Sequence, residues 1–150
     1  VKYLQADAYK LPFENEQFDC ICMMDFLEHI DDIPRVIKES SRVLKKNGVI
    51  FFHTFNRNFL SWLIAIKGVE WFVKETPKNL HVHHLFLKPT ELIEFFNIFD
   101  FELVEMVGVR PEFSWKRLLR LFLTGQINED FKFKISQSLT IGFMGLVKKI

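Results

Sequence analysis

The sequence predicts an α/β fold with a mostly parallel sheet, and two observations support this prediction. Residues 18–24, FDCICMM, form a mainly apolar run without period-two alternation, which is typical of a strand covered on both faces. A helical segment and a second short apolar run, Val49 to His53, follow it. Strand, helix and strand at this spacing indicate a right-handed crossover and a parallel pair.

The helical segment carries start and stop signals. Asp31 and Asp32 are good capping residues, and Pro34 is tolerated in a first helical turn. Asn47 and Gly48 predict its end. Its buried face is expected from residues at helical spacing, namely Val36, Ile37, Ser40, Val43 and Leu44.

Further elements are predicted on either side of this unit. Residues 1–6 are predicted to form a strand and residues 7–17 a loop. Pro89 is expected to open an amphipathic helix with a stripe of Leu92, Phe95, Phe96 and Phe99. Later strands are expected at 101–107, 131–135 and 139–147, and the last of them is expected to be antiparallel.

Composition limits the class of protein. The 150 residues, 49% of them hydrophobic and with a net charge of +1, fit one globular domain and give no indication of nucleic acid as a partner. Apolar runs fall short of the roughly 18 residues that span a bilayer, so we expect a soluble or peripheral intracellular protein. Cys20 and Cys22, the only cysteines, are expected to be core thiols on opposite faces of their strand.

Acidic and imidazole side chains follow the first buried strand. Asp25, Glu28 and His29 stand where that strand would reach its carboxyl edge, which is where ligands bind in open α/β sheets. At helical spacing the three would share one face and could converge on a cation, with His29 as a ligand or general base. The structural alternative is that Asp25 caps the turn while Glu28 and His29 satisfy nearby backbone groups.

The stretch from Thr54 to Leu87 is too long and aromatic for a simple connection. It is either a pair of short helices that close the core or a surface element that enters a lipid interface. A basic amphipathic segment at 114–123 is either a membrane-surface helix or a helix with an ordinary solvated face. Asn56 and Arg57, just past a strand end, could meet substrate or anionic lipid. The cluster of His81, His83 and His84 is interpreted as incidental.

Two segments, LPFENEQFDCICMMDFLEHIDD and VLKKNGVIFF, resemble the second half of a class I S-adenosylmethionine-dependent methyltransferase, which has a Rossmann-like sheet. A third, FNRNFLSWLIAIKGVEWFVKETPKNLHVHHLFLKPTEL, resembles the insertion of the ubiquinone-biosynthesis O-methyltransferases. Members of that family methylate catechol-type polyprenyl precursors. The resemblance covers nearly the whole chain and weakens after Gly108.

The resemblance implies roles for particular residues. S-adenosylmethionine contacts fall on Asp7, Ala8 and Met24. A Glu-x-x-Glu-His motif of the family, associated with a divalent cation such as Mg²⁺ near the catechol, is matched here by Asp25, Glu28 and His29. The last two of these would also be the catalytic residues.

The resemblance also implies partners and location. The family's membrane-associated insertion falls at about 56–87, with Asn56, Arg57, Trp62 and Trp71 at the substrate or membrane surface. The implied partners are the polyprenyl catechol, membrane lipid and other quinone-biosynthesis enzymes. The implied location is the cytoplasm, peripheral to the inner membrane.

One part of the family pattern is missing. The glycine-rich loop after the family's first strand and the acidic residue that ends its second strand have no counterpart here. We therefore expect the C-terminal part of a single methyltransferase domain, with activity in the full-length protein and weak or no cofactor binding by these residues alone. The alternatives are a class I methyltransferase for another small molecule and a non-catalytic membrane-associated module.

Overall fold

The computed structural model describes residues 1–63, 85–112 and 132–150. Within these ranges one sheet has five strands, namely β1 (Phe18–Met24), β2 (Leu44–Phe55), β3 (Phe101–Pro111), β4 (Phe133–Ser136) and β5 (Gly142–Lys149). The described helices are α1 (Ile33–Val43), the single turn α2 (Phe59–Ser61) and α3 (Pro89–Ile98). A short 3₁₀ turn covers Leu27–His29.

The strands are ordered β1-β2-β5-β3-β4, and β1 and β2 form the parallel pair that the sequence predicts. The expectation of a mostly parallel sheet is wrong for the described strands, because the other three pairings are antiparallel. β2 and β3 do run in the same direction, but β5 lies between them and is antiparallel to both. The antiparallel last strand is confirmed.

Strand β1 lies at an edge of the described sheet. It was expected to be covered on both faces, yet within it only Met23 is buried. Cys20 and Cys22 are exposed, so the expectation of core thiols is wrong. They also share a face, because residues two apart on a strand point the same way. Desolvation, followed by the neighbouring Cys22 thiol, raises the pKa of Cys20.

Residues 1–6 do not form the predicted strand. Val1, Tyr3 and Leu4 are exposed, and no described strand lies beside them to accept their backbone hydrogen bonds. Strand-like residue types are not sufficient without such a partner. Residues 7–17 form the predicted loop, with one isolated bridge between Asp7 and Lys10.

Alternation along β2 separates the two faces of the sheet. Ile50, Phe52 and Thr54 are buried, whereas Phe51 remains 45% exposed. The buried side packs against α1 and α3, and the ring centroid of Phe52 lies 5.4 Å from that of Phe96. Along the predicted faces of the two helices, the buried residues are Val36, Ile37, Ser40, Val43, Leu92 and Phe96. Phe95 and Phe99 are half-buried, and Leu44 is buried as the first residue of β2, not as part of α1.

Helix α1 begins as predicted, since the Asp32 side chain accepts a hydrogen bond from the Arg35 backbone N–H. It ends at Val43, which is earlier than the predicted stop at Asn47 and Gly48. The chain passes directly into β2, where Asn47 has a left-handed backbone (φ 64°). The left-handed residue therefore lies within the irregular start of a strand, where the β1–β2 register shifts, and not at a helix end.

Candidate functional site at the carboxyl edge of β1 and β2

The parallel register of β1 and β2 brings their carboxyl ends together. Met24 pairs with His53, and the backbone N–H of Asp25 donates to the His53 carbonyl at 3.3 Å. The acidic segment after β1 therefore lies directly beside the last residues of β2. This is the edge at which open α/β sheets bind ligands.

Asp25 forms a pair with His53, which the sequence analysis did not single out. The Asp25 Oδ1 atom lies 2.7 Å from Nδ1 of His53. The Asp25 side chain is 63% exposed, whereas that of His53 is 13% exposed. An ionised carboxylate only accepts hydrogen bonds, so Nδ1 is the donor in this pair. One signal in the sequence was available, namely an imidazole inside the otherwise apolar run VIFFHTF.

Glu28 is fully buried on the other side of the sheet edge. Its Oε2 atom accepts a hydrogen bond from the Thr54 hydroxyl at 2.9 Å. Its Oε1 atom has no hydrogen-bond partner among the described residues. A buried carboxyl group with an unsatisfied oxygen is costly, so the Thr54 hydroxyl is the contact that makes this position tolerable.

The structure does not bring the three predicted ligands together. His53 and Thr54 are consecutive on β2 and point to opposite faces, so their partners Asp25 and Glu28 are also on opposite faces. His29 is exposed. No group of three His, Cys, Asp or Glu side chains in the described ranges is placed to hold a metal ion. The arrangement therefore does not fit the cation that the resemblance implies.

The reason is local backbone geometry. Convergence of residues 25, 28 and 29 required one continuous helix, but only Leu27–His29 form a turn, and it is a 3₁₀ turn. Asp25 lies outside this turn with a left-handed backbone (φ 50°). The helical spacing rule therefore does not apply across these residues.

The predicted cofactor residues occupy two places. Asp7 accepts a hydrogen bond from the Tyr9 backbone N–H at 2.8 Å, which closes a local turn. Ala8 lines a cavity of about 300 Å³ whose other walls include Phe13, Met23 and Phe26. Met24 is 52% exposed at the end of β1 and does not line this cavity.

Arg42 on α1 holds the loop that carries Asp7 and Ala8. Its guanidinium donates to the carbonyls of Leu11 and Phe13 at 3.1 and 2.9 Å. It also pairs with Glu39 at 2.7 Å, and Glu39 in turn accepts from the Leu11 backbone N–H at 2.8 Å. The hydrogen bond from Arg42 is the main reason that the pKa of the Glu39 carboxyl is lowered.

The predicted substrate or membrane residues lie where β2 ends. Asn56 donates from Nδ2 to the Leu139 carbonyl at 2.8 Å, and the Arg57 guanidinium pairs with the Glu91 carboxylate. Trp62 is half-buried and packs with Phe55 against the buried Phe86. Outside the described residues lie Trp71, the histidine cluster at 81–84 and the basic segment at 114–123.

Comparisons with known proteins agree on one fold. A family model described as a methyltransferase domain matches residues 1–52. The ubiquinone biosynthesis O-methyltransferase of Pasteurella multocida is 40% identical over 95 residues, which cover 63% of this chain and 39% of that protein. The protein of the same name from Bartonella bacilliformis is 33% identical over 153 residues, which cover 100% of this chain and 54% of the relative.

A solved structure supports the same assignment. The SAM-dependent methyltransferase of Thermotoga maritima superposes with a TM-score of 0.65 at 22% identity, covering 100% of this chain and 65% of that one. The chain thus has the class I S-adenosylmethionine-dependent methyltransferase fold and resembles the ubiquinone biosynthesis O-methyltransferases in sequence. It spans about half the length of the curated relative that matches all of it. Among the described residues, no helix has both the length and the apolar character needed to cross a membrane.

Removing the hydroxyl that serves Glu28 should destabilise the protein. Thr54→Val keeps the side-chain shape but leaves both Glu28 oxygens without a partner, so we expect a loss of about 1–3 kcal/mol in the free energy of unfolding, measured with urea. Thr54→Ser is the matched control, because it keeps the hydroxyl and loses only a methyl group, worth about 0.8 kcal/mol. Equal losses in the two variants would contradict this account.

The Glu39–Arg42 contact predicts a pH-dependent contribution to stability. A carboxyl whose pKa is lowered by folding stabilises the protein above its unfolded pKa of about 4.3, and this contribution is lost as pH falls through the folded value. Glu39→Gln should therefore lower the melting temperature by about 2–4 °C at pH 7. The difference from the unsubstituted protein should shrink below about pH 4.

The control for that measurement is Glu94→Gln, which changes an exposed carboxyl on α3. It removes the same charge without touching the loop, so its melting temperature should follow that of the unsubstituted protein across the pH range. A Glu39→Gln deficit that persists unchanged at pH 3 would show that packing, and not the ion pair, is responsible.

Proposed function

We propose that this chain, which has the class I S-adenosylmethionine-dependent methyltransferase fold, serves the O-methylation of a polyprenyl catechol or hydroxyquinol in ubiquinone biosynthesis. The observation that carries the proposal is its 33% identity along the whole chain to a ubiquinone biosynthesis O-methyltransferase. The fold alone would not name the acceptor, because one fold supports many chemistries. The activity is proposed for the complete protein.

The geometry at the carboxyl edge supports a phenolic acceptor. S-adenosylmethionine would supply a methyl group bound to a sulfonium. The cavity of about 300 Å³ that Ala8 and Met23 line suits a flat heterocycle such as adenine. Asp7 and Met24 do not line it, but each is next in sequence to one of these two residues. A phenol must lose its proton to become a good nucleophile, and the edge of β1 and β2 offers carboxylate and imidazole groups for that purpose.

The segment at about 56–87 is proposed to face the membrane in which the apolar polyprenyl substrate is dissolved. Its two ends are tied together, because Asn56 and Leu87 form a parallel bridge and Leu87 N–H donates to Phe55 at 3.3 Å. The segment therefore leaves the sheet and returns to it at one point. Near its start, Phe59 is 71% exposed and its ring lies 5.4 Å from that of Trp62.

Aromatic side chains at such a place are typical of membrane interfaces. We accordingly propose that membrane lipid is a partner of this segment. Trp71, farther along the segment, is proposed to contact the lipid as well. The location proposed is peripheral to the cytoplasmic face of the inner membrane, where other quinone-biosynthesis enzymes would pass on the substrate.

The test of the activity is methyl transfer by the complete protein. S-adenosylmethionine with a tritiated methyl group is incubated with a short-chain polyprenyl catechol, and we expect label in the extracted product. The matched control acceptor is the same compound with both oxygens already methylated, which has no hydroxyl to attack. Label transferred to neither compound, or only to acceptors without a phenol, would contradict the proposal.

The membrane proposal is tested by flotation of the complete protein with anionic liposomes. Phe59→Ser combined with Trp62→Ser should lower the bound fraction about tenfold or more, since each aromatic side chain is worth roughly 1.5–3 kcal/mol when buried in an apolar environment. Ile98→Ser is the matched control, because it removes an exposed apolar side chain from α3. Equal flotation of all three proteins would mean that the segment packs on the protein and not on lipid.

A further inference from the structure

The pair of Asp25 and His53 has features of a working site. Oδ1 of Asp25 lies 2.7 Å from Nδ1 of His53 and accepts its hydrogen. In the neutral form of the imidazole, Nε2 is then the nitrogen that carries the lone pair. Asp25 contacts His53 twice, through this side-chain bond and through its backbone N–H. The imidazole is therefore fixed in both orientation and tautomer.

Asp25 has an uncommon backbone conformation. Its φ of 50° lies in the left-handed region, which few non-glycine residues occupy, although aspartate adopts it more readily than most. Such conformations persist where surrounding contacts impose them, and they concentrate at functional sites. At Asp25 this conformation occurs together with the two contacts that place its carboxylate on the His53 imidazole.

Gly142 on β5 lies close to Nε2 of His53. A Cβ atom at position 142 would come within 3.3 Å of Nε2, so the lack of a side chain there keeps this side of the ring from being crowded. The His53 ring is 5.8 Å from that of Phe55, which stacks on Phe86 at 5.4 Å. A basic nitrogen therefore lies next to an aromatic wall, on the face of the sheet away from α1 and α3.

The predicted catalytic residues are less well placed. Glu28 has no exposed surface and is held by Thr54 on the core face of β2. His29 is exposed at the end of a 3₁₀ turn. His53, in contrast, pairs with the carboxylate of Asp25, and its side chain is only 13% exposed.

We propose that His53 is the catalytic base that accepts the proton of the acceptor hydroxyl, and that Asp25 is its positioning residue. This inference rests on the proposed function. The hydroxyl O–H bond breaks and its proton passes to Nε2 of His53. The oxygen then forms a bond to the methyl carbon as the C–S bond breaks, and the electron pair of that bond returns to sulfur, which becomes a neutral thioether. The imidazolium afterwards releases its proton to water.

The test uses the complete protein and two substitutions that separate the contributions of the two ring nitrogens of His53. His53→Asn keeps an amide N–H near Nδ1 for Asp25 but has nothing at Nε2, whereas His53→Gln places a non-basic amide near Nε2. Both should lower kcat by about 10²–10⁴-fold, the usual contribution of general base catalysis, and leave the KM for S-adenosylmethionine within about threefold. Asp25→Asn should lower kcat by a smaller factor, since the base remains.

Chemical rescue separates catalysis from structure. His53→Ala leaves space for a free imidazole molecule. If the missing group is a base, added imidazole should raise the kcat of this variant at least about tenfold over its kcat without imidazole. The matched control is Phe51→Leu, on the same face of the same strand, which should keep kcat within about twofold.

Three outcomes decide the matter. A His53→Gln protein whose kcat stays within threefold of the unsubstituted protein would overturn the assignment of His53. A loss of kcat with no imidazole rescue and a raised KM for the cofactor would show a structural role and overturn it equally. An unsubstituted protein that methylates no catechol would overturn the proposed function itself, and the assignment of the base with it.

Discussion

The parallel pairing of β1 with β2 is the constraint on which the site depends. Its register sets Met24 opposite His53, so the residue that follows β1 must meet the residues that end β2. No side chain at this edge would have the same neighbours if the register moved by one residue, because that slip reverses the faces. The register is secured by apolar side chains on the buried face, among them Met23, Ile50 and Phe52.

Alternation along β2 divides the polar groups of this edge into two sets. The set on the core face, Glu28 with Thr54, is sealed from solvent and contributes to the structure only while its hydrogen bond is intact. The set on the other face, Asp25 with His53, combines an exposed carboxylate with a held imidazole. His53 and Thr54 are consecutive in sequence but have different environments, because the strand pleat directs their side chains to opposite faces.

The sequence predicted what depends on local pattern. The apolar faces of α1 and α3, the N-cap at Asp32 and the parallel β1–β2 unit are all present, since periodicity and capping follow from nearby residues. The sequence-based prediction failed where the structure depends on strands that are distant in sequence. The position of β5 between β2 and β3 fixes the antiparallel pairings, and no pattern within a strand encodes its neighbours.

The candidate site shows the same division. Asp25, Glu28 and His29 were placed correctly at the carboxyl edge, because a strand that ends in polar residues marks that edge. Their convergence was wrong, because it assumed a helix where the chain makes a left-handed residue and a 3₁₀ turn. His53 was missed, since its pairing with Asp25 joins residues that are 28 apart in sequence.

The loop that carries Asp7 and Ala8 is attached to the C-terminal end of α1. Arg42 binds the loop carbonyls from the last turn of the helix, and Lys149 of β5 donates to the carbonyls of Ser41 and Leu44 at 2.8 and 2.9 Å. The C-terminal end of α1 is therefore joined both to the loop and to the central strand. A cation at a helix C-terminus is also favourable in itself, because it meets the negative end of the helix dipole. The loop and β5 are consequently both held at the C-terminal end of α1. This is the end of β2 at which Val49 pairs with Lys148, away from the end at which His53 pairs with Met144.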